Sequence, residues 1–314
     1  GSRISRRTSD AGEPMNTVMI TGAGGPAGRA LSAQFRARVS GGAALATIGV
    51  DMIALPDSGF DASAVVPAAA DLEWTAAMAA LFASSSPTLV IPTVSDELPQ
   101  MAVLAAALGR TRPGVPGVVL GSAAEPTAIA ADKLLTMWAL DRSGVAVPRF
   151  CSPDAFTDTA AALAWAGGPL VVKPRVSRGG RGVTLIEDAT FDWSQTGPGR
   201  IVQTFAGGTE YSPQVYRSPL TGRSTVVVLE KTVLAQGRVG NAVSTQRLAD
   251  DAAPDVVALA TAAAEALDLV GPLDLDIRRE ADGRPVVLEI NSRFGANSAS
   301  APELLEAVLS EWLG

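Results

Sequence analysis

The sequence predicts an α/β chain in which a first unit, built on a doubly wound parallel sheet, precedes a more strand-rich region. Three observations carry this. Strand and helix patterns alternate from Met15 to about Pro126, a buried strand ending at Lys173 runs into a loop rich in Gly and Arg, and Asp282-Gly283 separates two alternating apolar segments. Strands alternating with helices imply parallel βαβ units, with ligands expected at the C-terminal edge of the strands.

Val18 to Ile20 reads as a short strand entering the loop Thr21-Gly22-Ala23-Gly24-Gly25-Pro26-Ala27-Gly28, and the helix after it carries Leu31, Phe35 and Val39 on one face. Ala46 to Val50 is a second strand that ends at Asp51. Trp74 to Phe82 is helical, Thr88 to Pro92 a third strand, Glu97 to Leu108 a further helix, and Val118 to Leu120 closes the unit. Gly22, Gly24 and Ala27 after a strand, with Asp51 ending the next, also fit a loose dinucleotide fingerprint. An NAD-binding oxidoreductase or sensor is therefore one reading, and glycines that merely allow a tight turn are the other.

After Thr127, Asp132-Lys133 opens a helix to about Ser143, with Gly144 as its cap and Val145 to Pro148 as an extended exit. Pro169 to Pro174 is a buried strand with Lys173 near its end, followed by Arg175 to Val183 and a second strand through Ile186. A glycine-rich loop between strands can lay backbone N–H groups over phosphates while a lysine supplies a point charge, although no Walker loop is present. An ordinary flexible hairpin has the same composition. Ile201 to Tyr211 is an extended segment able to offer backbone groups to an adenine edge, with Phe205 over the ring and Glu210 accepting from ribose hydroxyls. Strands follow at Thr225 to Leu229 and around Val233, then an amphipathic helix over residues 253 to 269 with Val257, Ala260, Ala264 and Leu267 inward, stopped by Gly271-Pro272.

Asp-Gly between alternating apolar residues signals a hairpin. If Asp282-Gly283 is a two-residue loop, Ala281 faces Arg284, and counting outward sets Asp276 opposite Glu289 and Asp274 opposite Asn291 on one face. Leu275, Ile277, Leu288 and Ile290 then point to the core. Directly opposed Cβ atoms lie roughly 4.5–5.5 Å apart, and carboxylates so placed repel unless a cation intervenes. Mg²⁺, with its preference for oxygen ligands, suits Asp276, Glu289 and the amide oxygen of Asn291. A solvated hairpin neutralised by Arg278 and Arg293 is the competing reading.

Composition limits the chemistry. The net charge is -7 with a pI near 4.8, which argues against a nucleic-acid or membrane-surface partner. There is no histidine and a single cysteine, Cys151, so imidazole bases, Ser-His-Asp triads, Cys-rich metal sites and disulfide frameworks are excluded. A cytoplasmic location is the expectation. Only Lys133, Lys173 and Lys231 are lysines among 25 basic residues, which makes each a candidate for a specific task. Residues 1–14 read as a tag or disordered leader.

Together these pieces resemble the ATP-grasp superfamily, in particular single-unit proteins similar to the synthetase domains of the carbamoyl-phosphate synthase large subunit. The stretches that carry the likeness are VMITGAGGPAGRAL, VIPTVSDEL, ADKLLTMWALDRSGVAVP, LVVKPRVSRGGRGVTLI, IVQTFAGGTEYSPQV and GPLDLDIRREADGRPVVLEINSRFG, in family order. The resemblance implies a Rossmann-like pre-ATP-grasp domain at 15–126, then an α+β ATP-grasp fold with a small lobe at 127–202 and a C-terminal lobe at 203–314. It implies that Lys133 and Lys173 contact phosphates beneath a loop formed by Ser177, Gly179, Gly180, Arg181 and Gly182. Gln203, Thr204 and Phe205 would flank adenine, Glu210 would hold ribose, Asp276, Glu289 and Asn291 would bind Mg²⁺ or Mn²⁺, and Arg293 would stabilise the transferring phosphoryl group.

The implied activity is an ATP-dependent carboxylate–amine ligase that forms an acylphosphate, with a small-molecule carboxylate and an amine as partners and a homodimer allowed. Chemistry of this kind needs little side-chain acid–base work. A carbamoyl-phosphate-synthase-like or degenerate nucleotide-binding protein is the alternative within the superfamily. Ser292 stands where many relatives carry proline, and the small-residue loop Phe294 to Ser300 is expected to face the acyl substrate.

Overall fold

The structure, a computed structural model, describes residues 16–38, 45–177 and 181–313. Its first unit comprises β1 (Thr17–Thr21), α1 (Pro26–Arg38), β2 (Ala46–Asp51), β3 (Ala62–Val65), α2 (Trp74–Ser85), β4 (Leu89–Ile91), α3 (Leu98–Ala107) and β5 (Val118–Val119). All strand pairs are parallel, in the order β3-β2-β1-β4-β5. Val18 and Ile20 pack with Leu31 and Phe35, whereas Met19, Ile48 and Val50 pack with Trp74, Met78 and Phe82. Burial on both faces is why these strands read as uninterrupted apolar runs. β3 gave no such signal because it is an edge strand with alternate residues exposed. Val39, expected on the inner face of α1, lies outside the described residues.

The strand order reverses between β1 and β4, so the loops after these two strands flank the crevice where open α/β sheets take ligands.

The second part holds α4 (Ala124–Ala131), α5 (Lys133–Arg142), β6 (Phe150–Cys151), α6 (Thr159–Ala166), β7 (Leu170–Pro174), β8 (Thr184–Ile186) and β9 (Arg200–Thr204), with an antiparallel sheet ordered β6-β9-β7-β8. Asp132 caps α5, accepting from Leu134 N–H at 2.9 Å, and its other oxygen takes Arg175 Nη2 at 2.6 Å. That pair ties the helix start to the end of β7.

The third part comprises β10 (Glu210–Arg217), β11 (Ser224–Leu234), β12 (Ala242–Arg247), α7 (Pro254–Ala266), β13 (Gly271–Arg279), β14 (Pro285–Asn291) and α8 (Pro302–Trp312), in an antiparallel sheet ordered β12-β11-β10-β13-β14. Thr225 to Leu229 and the Val233 region are one strand, irregular around Val233, and not two. On α7 the fully buried valine is Val256, with Val257 only partly covered. One face of this sheet packs Leu273, Leu275, Ile277 and Ile290 against α7 and α5. At one end of the opposite face, Leu304, Leu305 and Val308 of α8 join Tyr216, Val227 and Leu229 in an apolar cluster shared with β1 and β4. The charged remainder of that face forms the cleft.

The hairpin differs from expectation in an instructive way. Glu280 N–H bonds Arg284 O at 2.9 Å, so the loop has three residues, Ala281, Asp282 and Gly283, of which only Gly283 takes positive φ, at 85°. Pairs near the loop are therefore displaced by one, with Ile277 opposite Val287 and Arg278 opposite Val286. A bulge at Leu288 restores the count, and Asp276 faces Glu289 and Asp274 faces Asn291 as expected. The core residue is Val287, fully buried, in place of Leu288, which is only partly buried.

Candidate active site

Alternation along β10, β11, β13 and β14 brings Glu210, Lys231, Asp276, Glu289 and Asn291 to one side of the third sheet, and Lys133 and Lys173 enter from the second part. Their charges alternate. Lys231 Nζ lies 2.6 Å from Glu210 Oε1 and 2.7 Å from Asp276 Oδ1. Arg278 Nη1 lies 3.3 Å from the other oxygen of Glu210. Lys133 Nζ sits 3.4 Å from Glu289 Oε1 and donates to the carbonyl and hydroxyl of Ser177, both at 3.3 Å. The carboxylates facing each other across the hairpin thus have lysine partners. Arg278 and Arg293, which charge counting along the hairpin would pair with them, serve Glu210 and Asp274.

Lys173 is buried, and its Nζ donates to Leu288 O at 3.0 Å. Leu288 is the bulged residue, without a register partner on β13. Burial pushes this ammonium down to about 8, and nearby Lys133 adds to the effect, against the pull of Glu289 and more distant carboxylates. Lys231 goes the other way: burial opposes its charge, but Asp276 and Glu210 hold it well above the ordinary lysine range. One lysine is held charged by anions and the other is short of them, which leaves the second suited to an incoming polyanion.

Gln203 is buried near the end of β9 with its Nε2 lacking a hydrogen-bond partner. Thr204 N–H bonds Arg149 O at 2.9 Å, and Phe205 N–H bonds Pro169 O at 3.0 Å, so this segment is fixed to the second part just before the chain enters the third. The Phe205 ring is flanked by the guanidinium carbons of Arg238 and Arg278, 4.6 and 4.8 Å from its centroid. Beside Glu210, Lys231 and Arg278 an open groove of about 460 Å³ runs along β11 to Gly237. Of the expected phosphate loop, Ser177 reaches Lys133, Arg181 and Gly182 are exposed, and Gly179 and Gly180 lie outside the described residues.

Arg293 follows β14. Its Nε donates to Ser95 Oγ at 2.9 Å, on the loop after β4, and its Nη1 to Phe294 O at 2.9 Å. The first unit therefore meets the charged face directly. A small crevice there is bounded by Ser95, Lys133, Ser177, Glu289 and Asn291.

Sequence reasoning gave no role to Lys231 or Asp274. The available signal was periodicity, since Asp274 shares the parity of Asp276. For Lys231, only the scarcity of lysine pointed to it.

The dinucleotide reading meets an obstacle. Gly24 N–H, one of the donors such a loop would aim at a pyrophosphate, is taken by Asp51 Oδ2 at 2.8 Å, and the Leu55 side chain lies 3.0 Å from where a Gly24 Cβ would stand. Asp51 closes the loop instead of waiting for a ribose.

Residues 130–297 match the family model of the ATP-grasp domain, more than half of the chain. The chain belongs to the ATP-grasp family. A D-alanine–D-alanine ligase from Gloeobacter violaceus is 28% identical over 211 residues, covering 60% of this chain and 67% of that protein. Among solved structures, an L-amino acid ligase from Bacillus licheniformis superposes with a TM-score of 0.66 at 20% identity, covering 95% of this chain and 70% of the other. An ADP-bound N5-carboxyaminoimidazole synthetase from Staphylococcus aureus gives 0.71 at 15% identity, covering 95% and 77%. These likenesses establish the ATP-grasp fold: a parallel five-stranded sheet followed by two antiparallel sheets. Among the described residues, no helix is long and apolar enough to cross a membrane.

Proposed function

We propose that this ATP-grasp ligase joins a carboxylate to an amine with ATP, through an acylphosphate, and that its substrates are amino acids or similar small metabolites. The observation that carries the reading is the cross-strand pair Asp276 and Glu289, set beside Asn291, with Lys231 on the first carboxylate and Lys133 on the second.

Two carboxylates and an amide oxygen form a hard-oxygen donor set that fits Mg²⁺ or Mn²⁺, and no group of three His, Cys, Asp or Glu among the described residues offers another arrangement. Asp276, Glu289 and Asn291 would hold the ion, which supplies charge neutralisation to phosphate oxygens when bound. Lys133 and Lys173 then bind and orient the triphosphate, with Ser177, Arg181 and Gly182 beside it. Gln203, Thr204 and Phe205 line the base, and Glu210, whose carboxyl burial pushes above the ordinary glutamate range against the pull of Lys231 and Arg278, accepts from the ribose. Arg293 is the cation for the phosphoryl group in transfer, placed where Ser95 brings the first unit alongside. The carboxylate attacks the γ-phosphorus with release of ADP, and the amine then attacks the acyl carbon with release of phosphate. Neither step asks for a histidine.

The boundaries 15–126, 127–202 and 203–314 are the working division into lobes, and α4 spans the first of them. The order of motifs resembles the synthetase units of carbamoyl-phosphate synthase, a likeness we take as one of chain organisation and not of product. Association into a homodimer belongs to the same proposal.

The test is purified protein with ATP, Mg²⁺, hydroxylamine and a panel of carboxylic acids, amino acids first. ADP and a hydroxamate should appear with at least one acid. No ADP from any acid, with or without amines, would sink the proposal.

A further inference from the structure

Asp274 stands on β13 two residues before Asp276, on the same side of the sheet, between Gln214 on β10 and Asn291 on β14. Its Oδ1 accepts from Ser212 Oγ at 3.0 Å and Gln214 Nε2 at 2.6 Å, both neutral donors. Its Oδ2 faces Arg293, whose Nη1 is 3.7 Å away. The two side chains are only 17% and 13% exposed, so their attraction is weakly screened.

The other acidic groups of this face have cations of their own. Asp276 and Glu210 share Lys231, and Glu289 has Lys133. That leaves Asp274 and Arg293 to each other. The remaining anchors of the guanidinium, Ser95 Oγ and Phe294 O, are neutral. Ser95 belongs to the first unit and Phe294 to the loop after β14, so Arg293 is held at a junction in which Asp274 is the only acidic side chain among the partners named. The backbone is shaped around this carboxylate: a Cβ on Gly295 would lie 2.6 Å from Asp274 Oδ2.

We propose that Asp274 is a positioning residue for Arg293, fixing the guanidinium in the orientation that the Ser95 contact also requires. The inference rests on the reading of Arg293 as the cation for the transferring phosphoryl group. Asp274 itself touches neither nucleotide nor metal in this scheme. Misplacing a charge of this kind by about 1 Å is enough for a loss on the order of 100-fold.

Asp274→Asn is the informative variant. The amide oxygen can still accept from Ser212 and Gln214, whereas the amide nitrogen presents donors to a guanidinium that is itself all donors. In the hydroxamate assay, kcat for ADP formation should fall on the order of 10–100-fold with KM for MgATP changed less than about twofold. In an Arg293→Ala background the same substitution should add less than about twofold, because a residue acting through another has nothing left to act on. Independent, multiplicative losses in the double variant would overturn the proposal. So would a rise confined to KM for the amine, which would make Asp274 an ammonium site.

A second arm needs no substrate. The Arg293 Nε–H resonance, assigned in ¹⁵N-arginine-labelled protein through Arg293→Lys, should be protected from exchange in the wild type and lose that protection in Asp274→Asn. An unchanged signal refutes the positioning role even if no acid ever supports turnover. Absence of turnover in the wild type counts against the ligase reading alone.

Discussion

Lys173 allows a prediction about stability that is independent of substrate. In the folded chain its ammonium is buried with a backbone carbonyl as its hydrogen-bond acceptor, and burial brings its pKa to about 8 from the ordinary 10.5. The unfolded chain holds the proton to about 10.5, so between these values the unfolded state binds more protons than the folded state. Stability must then rise with pH across that window, and the penalty is fully present below about pH 8. At ~1.4 kcal/mol per pKa unit the whole penalty is ~3 kcal/mol, of which ~2 kcal/mol is recovered between about pH 7.5 and about pH 9.5. Lys173→Met keeps the length and apolar body of the side chain and removes the titration. Urea unfolding of both proteins at the two pH values, without nucleotide, isolates the effect as the difference between their pH dependences. The wild type should gain ~2 kcal/mol relative to the variant on going to the higher pH. Parallel pH profiles would refute the argument, because a lysine paid for by Glu289 in full would leave no window. A bound polyphosphate supplies the missing anion, so MgADP should bind with proton uptake near pH 8 and more weakly above it, and the variant should lose both properties.

Other perturbations separate the parts of the site. Lys231→Met leaves Asp276 without its cation and Glu210 with Arg278 alone, in a place where Lys231 is only 7% exposed, and should cost about 3–5 kcal/mol of stability in urea unfolding. Glu289→Gln removes the anion beside the buried Lys133 and should lower stability by about 1–3 kcal/mol in urea unfolding while still folding, yet lose ADP formation and the Mg²⁺ dependence of nucleotide binding measured by calorimetry. Thermal shift should register ADP with Mg²⁺ and not NAD(H), since Asp51 already occupies Gly24 N–H. Gly28→Ala forces a Cβ to within 2.3 Å of Gly22 O and 2.7 Å of Ala23 Cα, both backbone atoms that cannot swing aside. It should lower stability by about 1–3 kcal/mol in urea unfolding.

Why the site was more legible than some of the elements around it is a matter of which physical rules are local. The parallel sheet was readable because strands covered on both faces by helices must be continuously apolar, as Val18 to Ile20 and Leu89 to Ile91 are. β3 and β12 were not, because these edge strands lack an apolar run, β3 exposing alternate residues and β12 four of its six. α6 and α8 bury side chains against sheets that only the tertiary fold brings near, and the short, alanine-rich α6 has little periodicity to betray it. The lysines could be picked out by scarcity, but their partners could not. Charge counting along the hairpin paired its acids with Arg278 and Arg293, whereas the fold supplies Lys133 from α5 and Lys231 from β11.

The hairpin shows how a correct pairing can follow from an incorrect turn. A two-residue loop and a regular ladder put Asp276 opposite Glu289, and so do a three-residue loop and one bulge. The two solutions agree at the Asp276–Glu289 pair and differ only between Ile277 and Arg284. The extra residue is not neutral for the chemistry. Leu288, released from the ladder, turns its carbonyl to Lys173, so the lysine meets a backbone dipole at 3.0 Å. A dipole steadies an ammonium without neutralising it. The bulge thereby leaves Lys173 positioned and still short of negative charge, the state in which binding a polyphosphate gains most.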